Sequence, residues 1–492
     1  MLKERHEDRR LQLEVTCTDM LVSEEHLLRK IEKAVNFKHI YDIVGDLYCS
    51  YNGRPGVDPV VLFKMVLIQH LYGIRSLRQT HAEITMNIAF RWFLGYGISE
   101  TIPHFATVSY NFRHRFTEET VDQIFEWILS EIEAAGYLAP EVVYVDGTHI
   151  KGNANIHKAV KQAIPVAART YERQLMEEIN KDRDEHGKTP FNGSKGDGKE
   201  EKEVTVSTAD PESGIFHKGE HKRCFAYCTQ TACDDHGYIL SATVNPGNVH
   251  DSVAFDGIYR QLKDRFSEME VIAADAGYKT PWICKELIDD GILPVMPYVR
   301  PKTKEGFFFA SEYVYDEYYD CILCPENQVL KYSTTNREGY REYKSKPVIC
   351  SQCPSRNRCT ESRNQTKVVS RHIWSNYVEQ AEDIRHTPKG KSIYKRRKET
   401  IERVFADAKE KYGMRYTLYR GLCAVRKWVK LKYAAMNLKK LAIHKWYEQY
   451  GPDGSPFSSF FTSFRTLITV SFECTLNFAF CISIPLYEKN PI

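Results

Sequence analysis

The chain has almost no surplus charge. Its 68 Lys and Arg stand against 65 Asp and Glu over 492 residues, a net of +3, so bulk charge by itself singles out no partner. The opening stretch, MLKERHEDRRLQLEV, has no apolar core. No secretory signal is therefore expected, and the expected location is cytoplasmic. Long apolar runs are scarce. The exception, Thr466–Tyr487, carries one charge, Glu473. It is long enough for a membrane helix, but its Ser and Thr interruptions favour strands or a disordered tail, so no membrane association is expected. The role of 447–492 stays unassigned. Cysteine is not scarce: 14 occur. Without a secretory signal they read as reduced thiols rather than a disulfide framework. The hydrophobic fraction of 42% and charged fraction of 27% are those of a soluble globular protein. The length predicts two to four folded units.

The charge that is present is unevenly placed. From Lys389 to Lys440 there are 17 Lys and Arg against 4 Asp and Glu, a surplus of 13 in a chain of net +3, so the remainder is net −10. Such a block, interleaved with Tyr394, Phe405, Tyr412, Tyr416, Tyr419 and Trp428, is the footprint expected of a polyanion binder. Three acids stand out. Asp146 in VVYVDGTHI and Asp275 in EVIAADAGY end short β-branched runs that read as buried strands, and Glu402 lies inside the basic block. A carboxylate at the end of a buried strand is costly to desolvate unless a cation offsets it. Two strand-end acids and a helix acid fit a pair of divalent ions.

Up to about residue 138 the pattern is helical. Asp58-Pro59 caps a helix that runs to Gly73. Ser76, with Gln79 three residues on, opens a second to about Phe90. Pro103 starts a third that carries Arg113 and Arg115 on polar positions, and Thr117 caps a fourth ending at Gly136. A polar, arginine-bearing third helix suggests a helix-turn-helix-like DNA reader. Mixed structure follows. A strand is predicted at Val142–Val145, a charged helix at Ala167–Asp184 and a flexible loop at 185–203. Further strands are predicted near Phe216, at Ala226–Thr231 and at Tyr238–Thr243, then a helix after Asp251, a strand at Glu270–Ala274, a helix from Thr280-Pro281 to Gly291, and a last strand in ILPVMPYV.

This order resembles the ribonuclease-H-like fold, whose first and fourth strands lie side by side. The stretches VDGTHIKGNAN, NPGNVHDS with AADAGY, and KRRKETIERVFADAKEKYGMRYTLYRG resemble the DDE transposases of bacterial insertion sequences, with the likeness running from about Val57 to Leu441. The expected fold class is α/β: a ribonuclease-H-like mixed sheet flanked by helices, with an all-α N-terminal domain and a small cysteine-rich insert. Expected domains are 1–138 (DNA-binding), 139–300 (first part of the catalytic domain), 301–385 (insert), 386–446 (C-terminal catalytic helices) and the tail from 447. The resemblance implies a transposase that cuts element ends and joins the 3′-hydroxyl to target DNA. It implies two Mg or Mn ions on Asp146, Asp275 and Glu402, double-stranded DNA as partner (terminal inverted repeats and target), and a homodimer assembled on DNA. A nuclease of this fold without strand transfer, or a silent DNA-binding derivative, is the alternative.

Related transposases carry Tyr-x-x-Arg-x-x-x-Glu-x(6)-Lys. Glu402 and Lys409 keep that spacing, while Tyr394 and Arg397 lie one residue further from the glutamate and Lys395 and Lys398 take the nominal places. The expected DNA-contacting set is Lys409, Arg397, Tyr394, Lys398 and Arg403, with Arg113 and Arg115. Lys409, about two helical turns after Glu402, shares its face. The chemistry needs no covalent protein–DNA intermediate, so no serine or tyrosine nucleophile is assigned. His149 and His250 are kept out of the catalytic set, with His250-Asp251 as support for the metals. In the insert, Cys321-x2-Cys324 and Cys350-x2-Cys353 make a four-thiolate zinc pattern, with Cys359 a substitute or spare.

Overall fold

Capping side chains set where the first helices begin. The computed structural model describes residues 12–13, 15–48, 56–165, 171–192, 201–218 and 222–451. Within these, α1 (Thr18–Leu21), α2 (Leu27–Ala34), α3 (His39–Val44), α4 (Pro59–Leu71), α5 (Leu77–Met86), α6 (Ile88–Leu94) and α7 (Phe105–His114) follow one another. Asp58 Oδ1 accepts from Val60 N at 2.8 Å, and Ser76 Oγ accepts from Gln79 N at 3.2 Å. The second predicted helix is in fact two. Asn87 takes extended backbone, and its Oδ1 accepts from Ala89 N and Phe90 N, so α5 stops at Met86 and α6 starts afresh. The third begins at Phe105, because His104, not Pro103, is the cap.

The chain divides into two compact units. One holds the described residues to Leu71, Ser76–Phe116 and those from Ala435; its core includes Leu28, Ile31, Phe63, Ile68 and Phe93. The other holds Tyr72–Arg75 and Thr117–Ala434, and so includes α8 (Glu118–Ala134).

The second unit is built on a mixed sheet. Its elements run β1 (Val142–Lys151), β2 (Ala159–Pro165), α9 (Glu172–Glu185), β3 (Glu201–Ser207), β4 (Gly214–Lys218), β5 (Lys222–Cys233), β6 (Ile239–Pro246), α10 (Asp251–Arg265), β7 (Val271–Ala273), α11 (Pro281–Asp289) and β8 (Leu293–Val295). The order is β4-β5-β1-β7-β8, with β6 also on β5; β2 and β3 pair apart as a two-stranded ribbon. β5 lies antiparallel to β1 and β6, whereas β1, β7 and β8 are parallel. One core joins the sheet to its helices through Val143, Val145, Ile258, Leu262, Ile272 and Leu287. Most of the expected loop 185–203 is either outside the described residues or, from Glu201, already in β3.

One strand differs from its expectation in a way that matters for the site. β1 runs on to Lys151, so Asp146 lies within it rather than at its end. The cause is β5, which pairs with β1 from Tyr144 to Lys151, whereas β7 pairs only with Val142–Tyr144.

The 301–385 region contains a second sheet that the sequence pattern did not reveal. β9 (Val314–Asp316), β10 (Cys321–Leu323), β11 (Val329–Thr335), β12 (Tyr340–Lys344) and β13 (Val368–His372) form an antiparallel sheet in the order β13-β12-β11-β10-β9, and α12 (Pro347–Ser351) and α13 (Arg356–Cys359) fill the β12–β13 connection. Its cysteines depart from the expected set. Cys324, Cys350, Cys353 and Cys359 line one cavity of about 30 Å³. Cys321 is buried in β10, paired to Lys331 and Asp316 in the sheet, and does not line it. The chain closes with α14 (Ser375–His386), packed on α11 and β8, then α15 (Pro388–Arg396), α16 (Ile401–Glu410) and α17 (Leu422–Tyr450). No helix of the described residues is long and apolar enough to cross a membrane, and the tail of unassigned role lies outside them.

The shared core predicts an asymmetry along α10. Ile258→Ala, at a fully buried position, should lower apparent stability in chemical denaturation by about 2–5 kcal/mol. Val253→Ala, at a position 57% exposed on the same helix, should change it by no more than about 0.5 kcal/mol.

Candidate active site

Parallel register brings two of the three acids together. The last β1–β7 pair is Tyr144 with Ala273, and Asp146 and Asp275 each lie two residues beyond it. The pairing leaves the two segments side by side, and the Asp275 charge is close enough to raise the Asp146 carboxyl. Asp275 caps a single 3-10 turn, Ala276–Tyr278, accepting from Gly277 N at 2.7 Å. Asp146 Oδ1 accepts from Gly147 N at 2.8 Å.

A third carboxylate joins them from the start of α10. Asp251 Oδ1 accepts from Gln230 Nε2 at 2.8 Å. A Cβ on Gly147 would lie 2.7 Å from Asp251 Oδ1, and one on Gly277 would lie 3.1 Å from Asp275 Oδ1 and 3.5 Å from Asp251 Oδ2. The glycines after Asp146 and Asp275 thus make room for carboxylates. Read from sequence only as support, Asp251 is a full member of the acid cluster. Its position directly after the His250 cap of α10 was the available signal.

The electrostatics follow from this crowding. Burial pushes the Asp146 carboxyl from its ordinary 3.8 up to about 6; Arg397 opposes the shift, while Asp275 and Asp251 add to it. Burial, then the Asp251 charge, pushes the Cys228 thiol up to about 12.

Arg397 sits elsewhere than expected. It was assigned to DNA, yet it is buried, and its Nη2 donates to Asp146 Oδ2 at 2.8 Å. A guanidinium with this little exposure needs a fixed anion, and Asp146 provides it. Its neighbour Lys398 is exposed, as are Arg403 and Arg113; Tyr394, Lys409 and Arg115 are half-buried. The Tyr394 ring lies 5.6 Å from the Arg397 guanidinium, and Arg115 stacks over Tyr48 at 4.3 Å. His149 stacks on Phe216 with ring centroids 3.6 Å apart and contacts Gly247 O at 3.2 Å, a packing role.

Glu402 is exposed in the first turn of α16, and its N–H donates to Arg397 O at 3.2 Å. α16 packs on β1. The structure therefore unites Asp146, Asp275 and Asp251, and brings the helix of Glu402 to their strand. Among the described residues no three His, Cys, Asp or Glu side chains are gathered as a metal-holding group. By donor chemistry these carboxylates still suit a hard divalent cation: Asp275 and Asp251 raise Asp146, and among the described residues Arg397 is the cation bonded to it.

A family model described as Transposase DDE domain matches residues 323–442, and one described as Transposase domain (DUF772) matches 16–115. Together the two matches support a DDE transposase of an insertion sequence. The DDE match covers Glu402, Arg397 and Lys409 but stops short of Asp146 and Asp275, whose pairing rests on the sheet register. The other match covers α1 to α7. No curated protein matches this transposase.

The raised Asp146 carboxyl has a definite sign. Its contribution to folding is fully present below 3.8 and is lost as pH rises through about 6, since the folded state holds the proton longer. In metal-free protein, carboxyl NMR should find Asp146 titrating near 6. Arg397→Gln removes the opposing cation and should move that midpoint higher; a lower midpoint would refute the assignment.

Proposed function

We propose that this transposase cuts DNA at insertion-sequence ends and joins the freed 3′-hydroxyl to target DNA by metal-dependent phosphoryl transfer at Asp146, Asp275 and Glu402. The observation that carries this reading is the equal offset of Asp146 and Asp275 past the β1–β7 pairing. The strand order β6-β5-β1-β7-β8, with β1 parallel to β7 and antiparallel to β5, supports a ribonuclease-H-like catalytic domain. The packing of α16 on β1, inside the basic block, supports Glu402 as the third acid. The helical 16–115 match supports an N-terminal DNA-binding domain.

Mg or Mn held by these acids would activate the attacking oxygen and stabilise the leaving one. The chain's own part is positional. Arg397 holds Asp146 Oδ2, and Gln230 fixes Asp251 beside the pair. Lys409, on the helix of Glu402, grips a phosphate next to the scissile bond, and exposed Lys398 and Arg403 extend the cationic surface. Pairing two element ends calls for two copies of the chain on DNA, in the compartment that holds the DNA.

A strand-transfer assay with terminal inverted repeats and Mg²⁺ tests the reading. Joined products are expected. Cleavage without joining favours the nuclease alternative, and no reaction with DNA binding intact favours a silent derivative. Asp146→Asn, Asp275→Asn and Glu402→Gln should each reduce both steps below detection while DNA binding persists; full activity in any one removes that residue from the site. Lys409→Ala should weaken end binding and flatten the dependence of log affinity on log salt by about one unit. An unchanged slope would take Lys409 off the DNA.

A further inference from the structure

The insert sheet has a small core of its own and packs on α9 through β11. Its buried hydrophobic cluster is Ile322, Leu330 and Tyr343. α12 and α13, of five and four residues, are too short to be stable on their own. Small units of this kind are commonly stapled by disulfides or a metal. The cavity lined by Cys324, Cys350, Cys353 and Cys359 lies where a staple would tie both short helices to the β10–β11 turn.

Hydrogen-bond donors and cations lie near the sulfurs. Gln328 N donates to Cys324 Sγ at 3.4 Å across a turn in which Asn327 takes the left-handed φ of 55°. Lys346 and Lys367 also line the cavity. Burial holds the Cys359 thiol above its ordinary range, and the nearby Cys350 and Cys324 sulfurs add to the shift, a crowding that a bound cation would relieve. Cys350 Sγ lies 3.1 Å from Ser345 Oγ, and Cys359 Sγ 3.2 Å from Tyr313 OH.

We propose that Cys324, Cys350, Cys353 and Cys359 bind one structural zinc ion as four thiolates, with Cys321 left out. The sulfurs line one cavity but are not drawn to a common point. Binding therefore entails side-chain closure to Zn–S distances near 2.3 Å, with release of the four thiol protons to solvent. The site is separate from the acid cluster and does not depend on the proposed DNA chemistry.

Metal analysis of the full-length chain, purified without added zinc or chelator, should find about one zinc per chain. Cys359→Ser should lose it and Cys321→Ser should keep it. Because a ligand variant can misfold, Co²⁺ titration of the metal-stripped parent chain supplies a second readout. Intense thiolate-to-cobalt charge-transfer absorption with tetrahedral d–d bands, displaced by one equivalent of Zn²⁺, is expected. The proposal is overturned if the parent chain holds no zinc and its thiols all titrate freely. It is equally overturned by a disulfide among the four, by absent charge-transfer bands, or by zinc lost in Cys321→Ser and kept in Cys359→Ser.

Discussion

Three residue pairs, Val142–Tyr144 against Val271–Ala273, carry the rest of the site. Their parallel pairing brings Asp146 and Asp275 near each other, and their brevity matters as much as their direction. Because β7 ends at Ala273 while β1 continues against β5, β1 from Val145 to Ile150 has no β7 partner, up to the bridge between Lys151 and Tyr416, and Asp275 turns into its capped 3-10 turn. Asp251, from α10, lies against Gln230 and Gly147, and Arg397, from the α15–α16 junction, reaches Asp146.

The ion pair between Asp146 and Arg397 is the second constraint, and it follows from the first. An acid in mid-strand beside two further carboxylates is strongly desolvated, and its raised pKa expresses that. One buried guanidinium offsets part of the cost and at the same time anchors the segment leading into α16. The residue that relieves the acid also accepts, through its carbonyl, from Glu402 N at the start of α16, the helix that packs on β1.

Much of this architecture could be read from the residues. The caps at Asp58, Ser76, Thr117 and Thr280 are local signals, and each is seen in its expected place. β-Branched runs marked β1 and β7, because buried parallel strands have few polar positions to obscure them. The insert sheet was not readable: β9 and β10 are three residues each, and β11 and β12 mix Lys, Tyr, Thr and Arg, too polar and short for a period-two pattern. The break at Asn87 was missed because an asparagine inside a helical pattern looks the same whether it faces solvent or caps a new helix. Asp251 reads from sequence as a minor residue, since nothing local shows that an acid following a cap lies against Gly147 of β1 and Gly277 of the turn after β7.

The sequence by itself determined the acids, the basic block, the helix starts and the likeness to DDE transposases. These are properties of residue type and short-range spacing. Tertiary structure alone decided which arginine in the run KRRK is buried, since Arg397 and Asp146 are 251 positions apart, and it set Asp251 among the acids. It also decided that Cys359 rather than Cys321 shares a cavity with the other three thiols. A Cys-x2-Cys spacing marks two thiols as neighbours along the chain, but pairing in β10 buries the first and leaves the second at the turn.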